Sequence, residues 1–372
     1  MHKLGVDCIE RSRRLTEMKT AFRALYGAEA TLGVRAPGRV DLMGSHTDYN
    51  DGKVLTLPIN RGIWILARPR SDGQLNMASL NMDAGFSFDT AAPGQHREQD
   101  WGRYVQGVAV ELNEAGHPLH GCDALVHGTV PLASGLSSSA ALEAASATLL
   151  EVLGGFSLDP VQKALLTQRA ENRWVGVNCG ILDQYSSILG EQHKALMLDC
   201  RSLTHRYAHV PSGLRIVICN TRAPRQLSGS EYGDRRAQCE QGAAFFAARN
   251  PGIRALRDVS LDLFEKYASE LPGKVARRSR FIIEENARVD ALAAALDRDD
   301  RPTIQNIMKA SFEGARDLFE ISGPAMQCMM DAMSAAPGCV GCRQAGAGFG
   351  GCLVAIVEKD QVDAFCRSTA AA

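Results

Sequence analysis

The chain carries almost no net charge: 41 basic side chains against 42 acidic ones leave a formal charge of −1. Bulk electrostatics would therefore draw it neither to nucleic acid nor to an anionic membrane surface, and a small-molecule substrate is expected. No apolar run reaches the length of a secretory core or a membrane span, and Asp7 and Glu10 interrupt the N-terminus. The eleven cysteines are an odd number scattered from Cys8 to Cys366, several inside apolar runs such as Ile216-Val-Ile-Cys219. That pattern excludes a disulfide framework and predicts reduced, buried thiols in a cytoplasmic protein. Cys339-Val-Gly-Cys342 has CxxC spacing, but no second pair or finger-spaced histidine accompanies it, so no zinc site is expected. A Walker P-loop is missing too: neither Gly52-Lys53 nor Gly273-Lys274 is followed by Ser or Thr.

With 372 residues, 45% of them hydrophobic and 22% charged, the chain can bury a large core and is expected to form two domains. Helical periodicity runs over residues 9–27, and β-branched segments follow at Thr31–Met43, Val54–Pro58 and Ile63–Pro69. The patterns then predict helices at Trp101–Ala115, Pro160–Trp174 and Leu182–Leu189, and strands at Ala124–Val130, Lys194–Cys200 and Leu214–Asn220. Beyond residue 250 the chain reads as mostly helical, with a closing strand at Val354–Glu358. Mixed elements in both halves predict an α+β class, divided into 1–200 and 201–372. No internal repeat occurs, and no oligomeric state follows from the pattern.

Three segments concentrate chemistry. In Pro131-Leu-Ala-Ser-Gly-Leu-Ser-Ser-Ser-Ala-Ala-Leu142, Gly135 permits a tight turn before a helix whose first free N–H groups face outward. An anion gains those N–H groups, the positive helix end and the serine hydroxyls; a plain Ser-capped helix is the alternative. Pro37-Gly-Arg-Val-Asp-Leu-Met-Gly-Ser-His-Thr-Asp-Tyr-Asn50 packs Arg39, Asp41, His46 and Asp48 between apolar strands. Such density suits a polyol, which needs both donors and acceptors, although a solvated hairpin end reads similarly. Gly346-Ala-Gly-Phe-Gly-Gly351 matches GxGxxG, yet only about twenty residues follow, too few for a dinucleotide unit. A backbone passing close to a ligand or another loop explains it better. Finally, Glu171 and Asp183 flank the turn at Asn178-Cys-Gly180, and Asp183 opens an apolar helix whose positive end keeps it ionised.

Taken in order, the first motif, the serine loop and the glycine-rich loop resemble the three motifs of the GHMP small-molecule kinases, specifically the galactokinase branch. Trp101-Gly-Arg-Tyr-Val-Gln-Gly107, Cys179-Gly-Ile-Leu-Asp-Gln184, Leu198-Asp-Cys-Arg-Ser-Leu203 and Gly229-Ser-Glu-Tyr-Gly-Asp-Arg-Arg236 are also similar to segments of that branch. The resemblance implies a two-domain α+β fold with the active site in the cleft between domains, and transfer of the ATP γ-phosphoryl group to a sugar's anomeric hydroxyl. By the same resemblance Asp183 is the catalytic carboxylate and Arg39 its partner. His46, Asp48, Gly180 and Tyr232 contact sugar hydroxyls. Gly135, Leu136, Ser137, Ser138, Ser139 and Ala140 cradle ATP, Trp101 stacks on adenine, and Glu171 with Ser138 or Ser139 holds Mg2+.

Two departures stand out. Galactokinases usually carry Glu at the position of Ser45, where it accepts from the sugar 6-hydroxyl, and Gly at the position of Ala347, whose methyl would trim the sugar space. Both changes resemble plant galacturonate kinases, so galacturonate and L-arabinose stand beside galactose as expected substrates. A non-catalytic sugar and ATP sensor is the competing class; the intact serine loop, Arg39, Glu171 and Asp183 favour the enzyme.

Overall fold

The computed structural model describes residues 2–95, 100–132, 134–223 and 229–372. Ala133, within the serine segment, lies outside the described residues. The chain begins with α1 (His2–Tyr26), β1 (Leu32–Met43), β2 (Lys53–Pro69), β3 (Gln74–Ser79) and β4 (Ala84–Asp89). Next come α2 (Gly102–Glu114), β5 (Cys122–Gly128), α3 (Ser138–Gly154), α4 (Pro160–Arg169) and α5 (Leu182–Leu189). β6 (Lys194–Asp199), β7 (His205–His209), β8 (Leu214–Asn220), α6 (Gly229–Ala247), α7 (Leu261–Tyr267) and α8 (Gly273–Asp297) follow. The chain closes with α9 (Arg301–Asp317), α10 (Pro324–Ala335), β9 (Cys339–Gln344), β10 (Cys352–Glu358) and α11 (Val362–Ala371). This is the mixed α+β class expected. No described helix is long and apolar enough to cross a membrane.

Local chemistry sets several boundaries. Asp159 caps α4 by accepting from the N–H groups of Val161 at 3.0 Å and Gln162 at 3.1 Å, with Pro160 in the first turn where its missing N–H costs nothing. The helix expected to run to Trp174 instead stops at Arg169 and widens into a π-helical turn, Ala170–Val175. Val54–Pro58 and Ile63–Pro69 join into one strand because the polar residues between them stay extended. The hairpin β3–β4 is not legible in the sequence: Gln-Leu-Asn-Met-Ala-Ser and Ala-Gly-Phe-Ser-Phe-Asp hold no β-branched residue.

Contacts sort the chain into two compact units of discontinuous sequence. The first comprises residues 1–38, 59–131 and 138–179; the second comprises 39–58, 132–137 and 180–372, so Arg39–Pro58 groups with the C-terminal half rather than with 1–200. In the first unit, Ile63–Pro69 of β2 runs antiparallel to β5, which lies parallel to β3, itself antiparallel to β4. Met18 and Phe22 of α1 bury themselves against Leu66 and Leu125 of this sheet.

In the second unit, Lys53–Thr56 of β2 pairs antiparallel with β6, and β6 with β7. A separate antiparallel sheet has the order β8-β10-β9. Phe246, Phe264, Phe281, Ile282 and Phe319 from α6, α7, α8 and the segment after α9 form a buried aromatic core. Phe281 is fully buried, its ring 4.7 Å from that of Phe319. Phe281→Ala is expected to cost about 3–5 kcal/mol. A denaturant titration checks this as a lower midpoint at unchanged slope.

Candidate active site

In the second unit Arg39 leaves β1 with its guanidinium buried, and it holds two other segments. Its Nε donates to Asp183 Oδ1 at 2.9 Å, and Nη2 donates to the same oxygen. Its Nη1 donates to the carbonyl of Gly135 at 2.7 Å. The Arg39 backbone N–H also donates to Leu136 O at 3.2 Å, so strand and serine loop are joined twice. Asp183 lies in the first turn of α5, as expected, with its side chain 28% exposed against 7% for Arg39. Both guanidinium bonds fall on Oδ1, which leaves Oδ2 outside the ion pair.

Asp48 opens a short 3-10 turn, Asp48–Asn50, beneath Gly180. A Cβ at Gly180 would lie 1.9 Å from Asp48 Oδ2, so any side chain there displaces the carboxylate. Burial, then the charges of Asp183 and Asp41, push the Asp48 pKa up from 3.8 to about 7. The positive charge of Arg39 lowers the value only partly.

His46 sits behind them in a left-handed backbone conformation, φ 65°. Its Nε2 lies 3.0 Å from Ala347 O and its Nδ1 2.7 Å from the Tyr49 hydroxyl. A carbonyl only accepts, so Nε2 carries the proton and Tyr49 donates to Nδ1. The Tyr232 ring lies 5.4 Å and the Phe319 ring 4.8 Å from the imidazole. The first motif, the third motif and the start of α6 therefore meet at His46.

Ser45 is almost wholly buried. Its hydroxyl donates to Asp41 Oδ2 at 2.6 Å, accepts from Arg343 Nη2 at 2.7 Å and lies 3.2 Å from Gly346 O. Arg343, fully buried on β9, also reaches Glu285 Oε1 at 3.3 Å and Ser311 Oγ at 3.0 Å. Glu285 in turn accepts from the Gly44 N–H at 3.2 Å. This buried network fastens the first motif to α8, α9 and β9. At the other end of the motif, Arg257 pairs with Asp199 and donates to the carbonyl of Asp51, while Arg201 joins Asp51 to Asp258. Those bidentate pairs hold Asp199 and Asp258 well below the usual carboxylate range.

The glycine-rich loop does pass close to another loop. A Cβ on Gly351 would lie 2.7 Å from Ser134 O, and one on Gly346 would lie 3.0 Å from Gly135 O. Ser137 adopts φ 58°, and its buried hydroxyl finds no hydrogen-bond partner among the described residues.

The first unit carries the remaining expected residues. Ser138, Ser139 and Ala140 form the first turn of α3, and Glu143 follows one turn after Ser139 on the same face. Glu171 is buried in the π-helical turn and accepts from the Cys179 thiol at 3.5 Å. Burial, Glu171 and Glu143 together raise the Tyr104 pKa, which puts both carboxylates near one hydroxyl. Trp101 precedes α2 and packs edge-on against Phe86 with centroids 4.8 Å apart. Sequence reading missed Glu143, Glu285 and Arg343; of these, only Glu143 had a local signal, an acid in the mostly apolar helix that follows the serine run.

A GHMP kinases N terminal domain matches residues 103–191 and a GHMP kinases C terminal domain matches 292–370. The fold is shared with the mevalonate kinase of Methanococcus jannaschii, at a TM-score of 0.67 and 13% identity over 91% of this chain and 95% of that one. Fold and site together define a GHMP kinase. The galactokinase galactose-binding signature matches residues 20–69. A galactokinase from Roseiflexus sp. (strain RS-1) is 40% identical over 358 residues, 96% of this chain and 91% of that protein. The structure of Lactococcus lactis galactokinase complexed with galactose matches with a TM-score of 0.90 and 32% identity over 95% of this chain and 93% of the other. The chain belongs to the galactokinase branch of the GHMP kinases.

The raised pKa of Asp48 has a consequence for stability. Between about pH 4 and 7 the folded chain binds a proton that the unfolded chain has released, so the stability present below pH 4 is lost as pH rises through about 7. Asp48→Asn cannot ionise. Its melting temperature is expected to exceed that of the parent at pH 8 and to converge with it near pH 4, in calorimetric scans across that range.

Proposed function

We propose that the chain is an ATP-dependent sugar 1-kinase that transfers the γ-phosphoryl group of ATP to the anomeric hydroxyl of galactose. One observation carries this reading: Arg39 is bonded at once to Asp183 and to Gly135 of the serine loop. A carboxylate suited to a sugar hydroxyl is thereby tied to a loop suited to phosphates. Asp183 Oδ2, outside the ion pair, accepts the proton of the anomeric hydroxyl, while Oδ1 stays anchored. Arg39 fixes that carboxylate and adds positive charge beside the transferring group. Phosphoryl transfer asks chiefly for such positioning and charge neutralisation.

In this reading Asp48 and the backbone of Gly180 meet sugar hydroxyls, Tyr232 closes the wall behind His46, and Ala347 limits the space beside the ring. His46 and Ser45 act mainly as supports, because their polar atoms bond to Tyr49, Ala347, Asp41 and Arg343. The phosphates take the N–H groups of Ser138, Ser139 and Ala140 together with the unpartnered Ser137 hydroxyl, after the turn at Gly135 and Leu136. Trp101 offers a face to adenine.

Magnesium fits the donors present: the buried carboxylates of Glu171 and Glu143 would supply oxygen ligands, and Ser138 or Ser139 would add a hydroxyl. No described group of three His, Cys, Asp or Glu forms a cage, as suits an ion that shares substrate phosphates. The ion would offset charge on the β- and γ-phosphates. The free thiols among the described residues support a reducing, cytoplasmic setting.

The geometry favours galactose over galacturonate. Ser45 removes one acid, yet Asp41, Asp48 and Asp183 remain, and burial together with the charges of Asp183 and Asp41 already resists ionisation of Asp48. A uronate would bring a further negative charge into that space. In an ADP-release panel, galactose is expected to outpace galacturonate and L-arabinose; a preference for galacturonate would overturn the assignment. Asp183→Asn is expected to lower kcat by roughly 10²–10⁴-fold with nucleotide affinity kept, as loss of a general base does. Near-normal turnover would remove Asp183 from the chemistry.

A further inference from the structure

Away from the kinase site, a cavity of about 530 Å³ opens between α9, α10 and β9, and three sulfur atoms line it. The Cys342 thiol lies 3.3 Å from the Ser334 hydroxyl and 3.5 Å from the Met330 thioether sulfur. Cys339 lines the same cavity. Residues three apart on a regular strand point to opposite faces, but here the register slips. Ile356 pairs with Gly341 and Val357 with Cys339, so Val340 is an extra residue and the two cysteines return to one face. A side-chain hydrogen bond joins Cys339 and Cys342. Two thiols and a thioether thus converge in a cavity open to small ions.

We propose that Cys339, Cys342 and Met330 bind a soft, closed-shell monovalent cation, with copper(I) as the physiological candidate. Thiolate and thioether donors select that class of ion. Zinc would demand a fourfold N/S/O set, and no described group of three His, Cys, Asp or Glu supplies one. Binding displaces the two thiol protons and leaves a net charge of −1 on the bound cluster. Lys309 and Arg316 line the same cavity together with Glu313 and Asp331, so the lining itself is close to neutral. Arg343 follows Cys342 directly on β9, so an occupied site stiffens the strand that carries the buried arginine.

Silver(I), which does not change oxidation state here, is the probe, titrated anaerobically against a chromophoric chelator into the fully reduced protein. The parent is expected to take up one more equivalent than Cys339→Ser/Cys342→Ser, with galactose turnover of the unloaded variant confirming that it folds. Met330→Leu, which conserves volume, is expected to keep that equivalent and weaken it on the order of tenfold, as loss of a supporting group does at metal sites. X-ray absorption of the parent's extra equivalent is expected to show sulfur neighbours alone. Equal uptake by parent and double variant, or an unchanged affinity in Met330→Leu, overturns the site.

Discussion

Everything in the second unit turns on one buried cation. The Arg343 guanidinium is fully enclosed and reaches Asp41 and Ser45 of the first motif, Glu285 of α8 and Ser311 of α9, three separate segments. Charges taken out of water are tolerated only when neighbours replace the lost solvation, and removing one member strands the others at a cost of about 3–5 kcal/mol. The first motif is therefore held in place by a network whose failure would be expensive. Because Gly44 and Ser45 are both fastened to it, the loop that begins at Gly44 has little freedom left. Arg201 and Arg257 do the same from the other side through Asp51.

This anchoring reframes Ser45. In the sequence it stands out as the missing acid of a sugar motif. In the structure its hydroxyl is spent on Asp41 and Arg343, while Asp48 and Asp183 lie beside Gly180 and Arg39. The substitution alters how the loop is held more than how much negative charge surrounds it. The raised pKa of Asp48 has burial as its largest cause, with the charges of Asp183 and Asp41 adding to it.

The legible parts of the site were those in which chemistry is local. Arg39, His46, Asp48 and the serine run declare themselves because polar residues cluster between apolar strands within a dozen positions. Asp183 was readable because an acid opens an apolar helix. Arg343 gave no such sign: it bonds to Asp41 across 302 positions and to Glu285 across 58, and sequence periodicity carries no trace of such pairings. The same limit applied to the fold. Strongly periodic helices such as α8 and α9 were evident, whereas β3, β4 and β7 lacked the branched residues that announce a strand. The π-helical turn around Glu171 was hidden because its composition continues that of α4.

His46, Ser137 and Phe349 each hold a left-handed backbone, with φ of 65°, 58° and 62°, and each belongs to a different one of the three motifs. None is glycine, so each stores on the order of 1–3 kcal/mol that the surrounding packing must hold in place. A chain that tolerates this strain has already done, during folding, the conformational work that a looser loop would defer until its ligands arrived. Less of the free energy of sugar and nucleotide association is then consumed in ordering the protein, and more is left to favour the transition state.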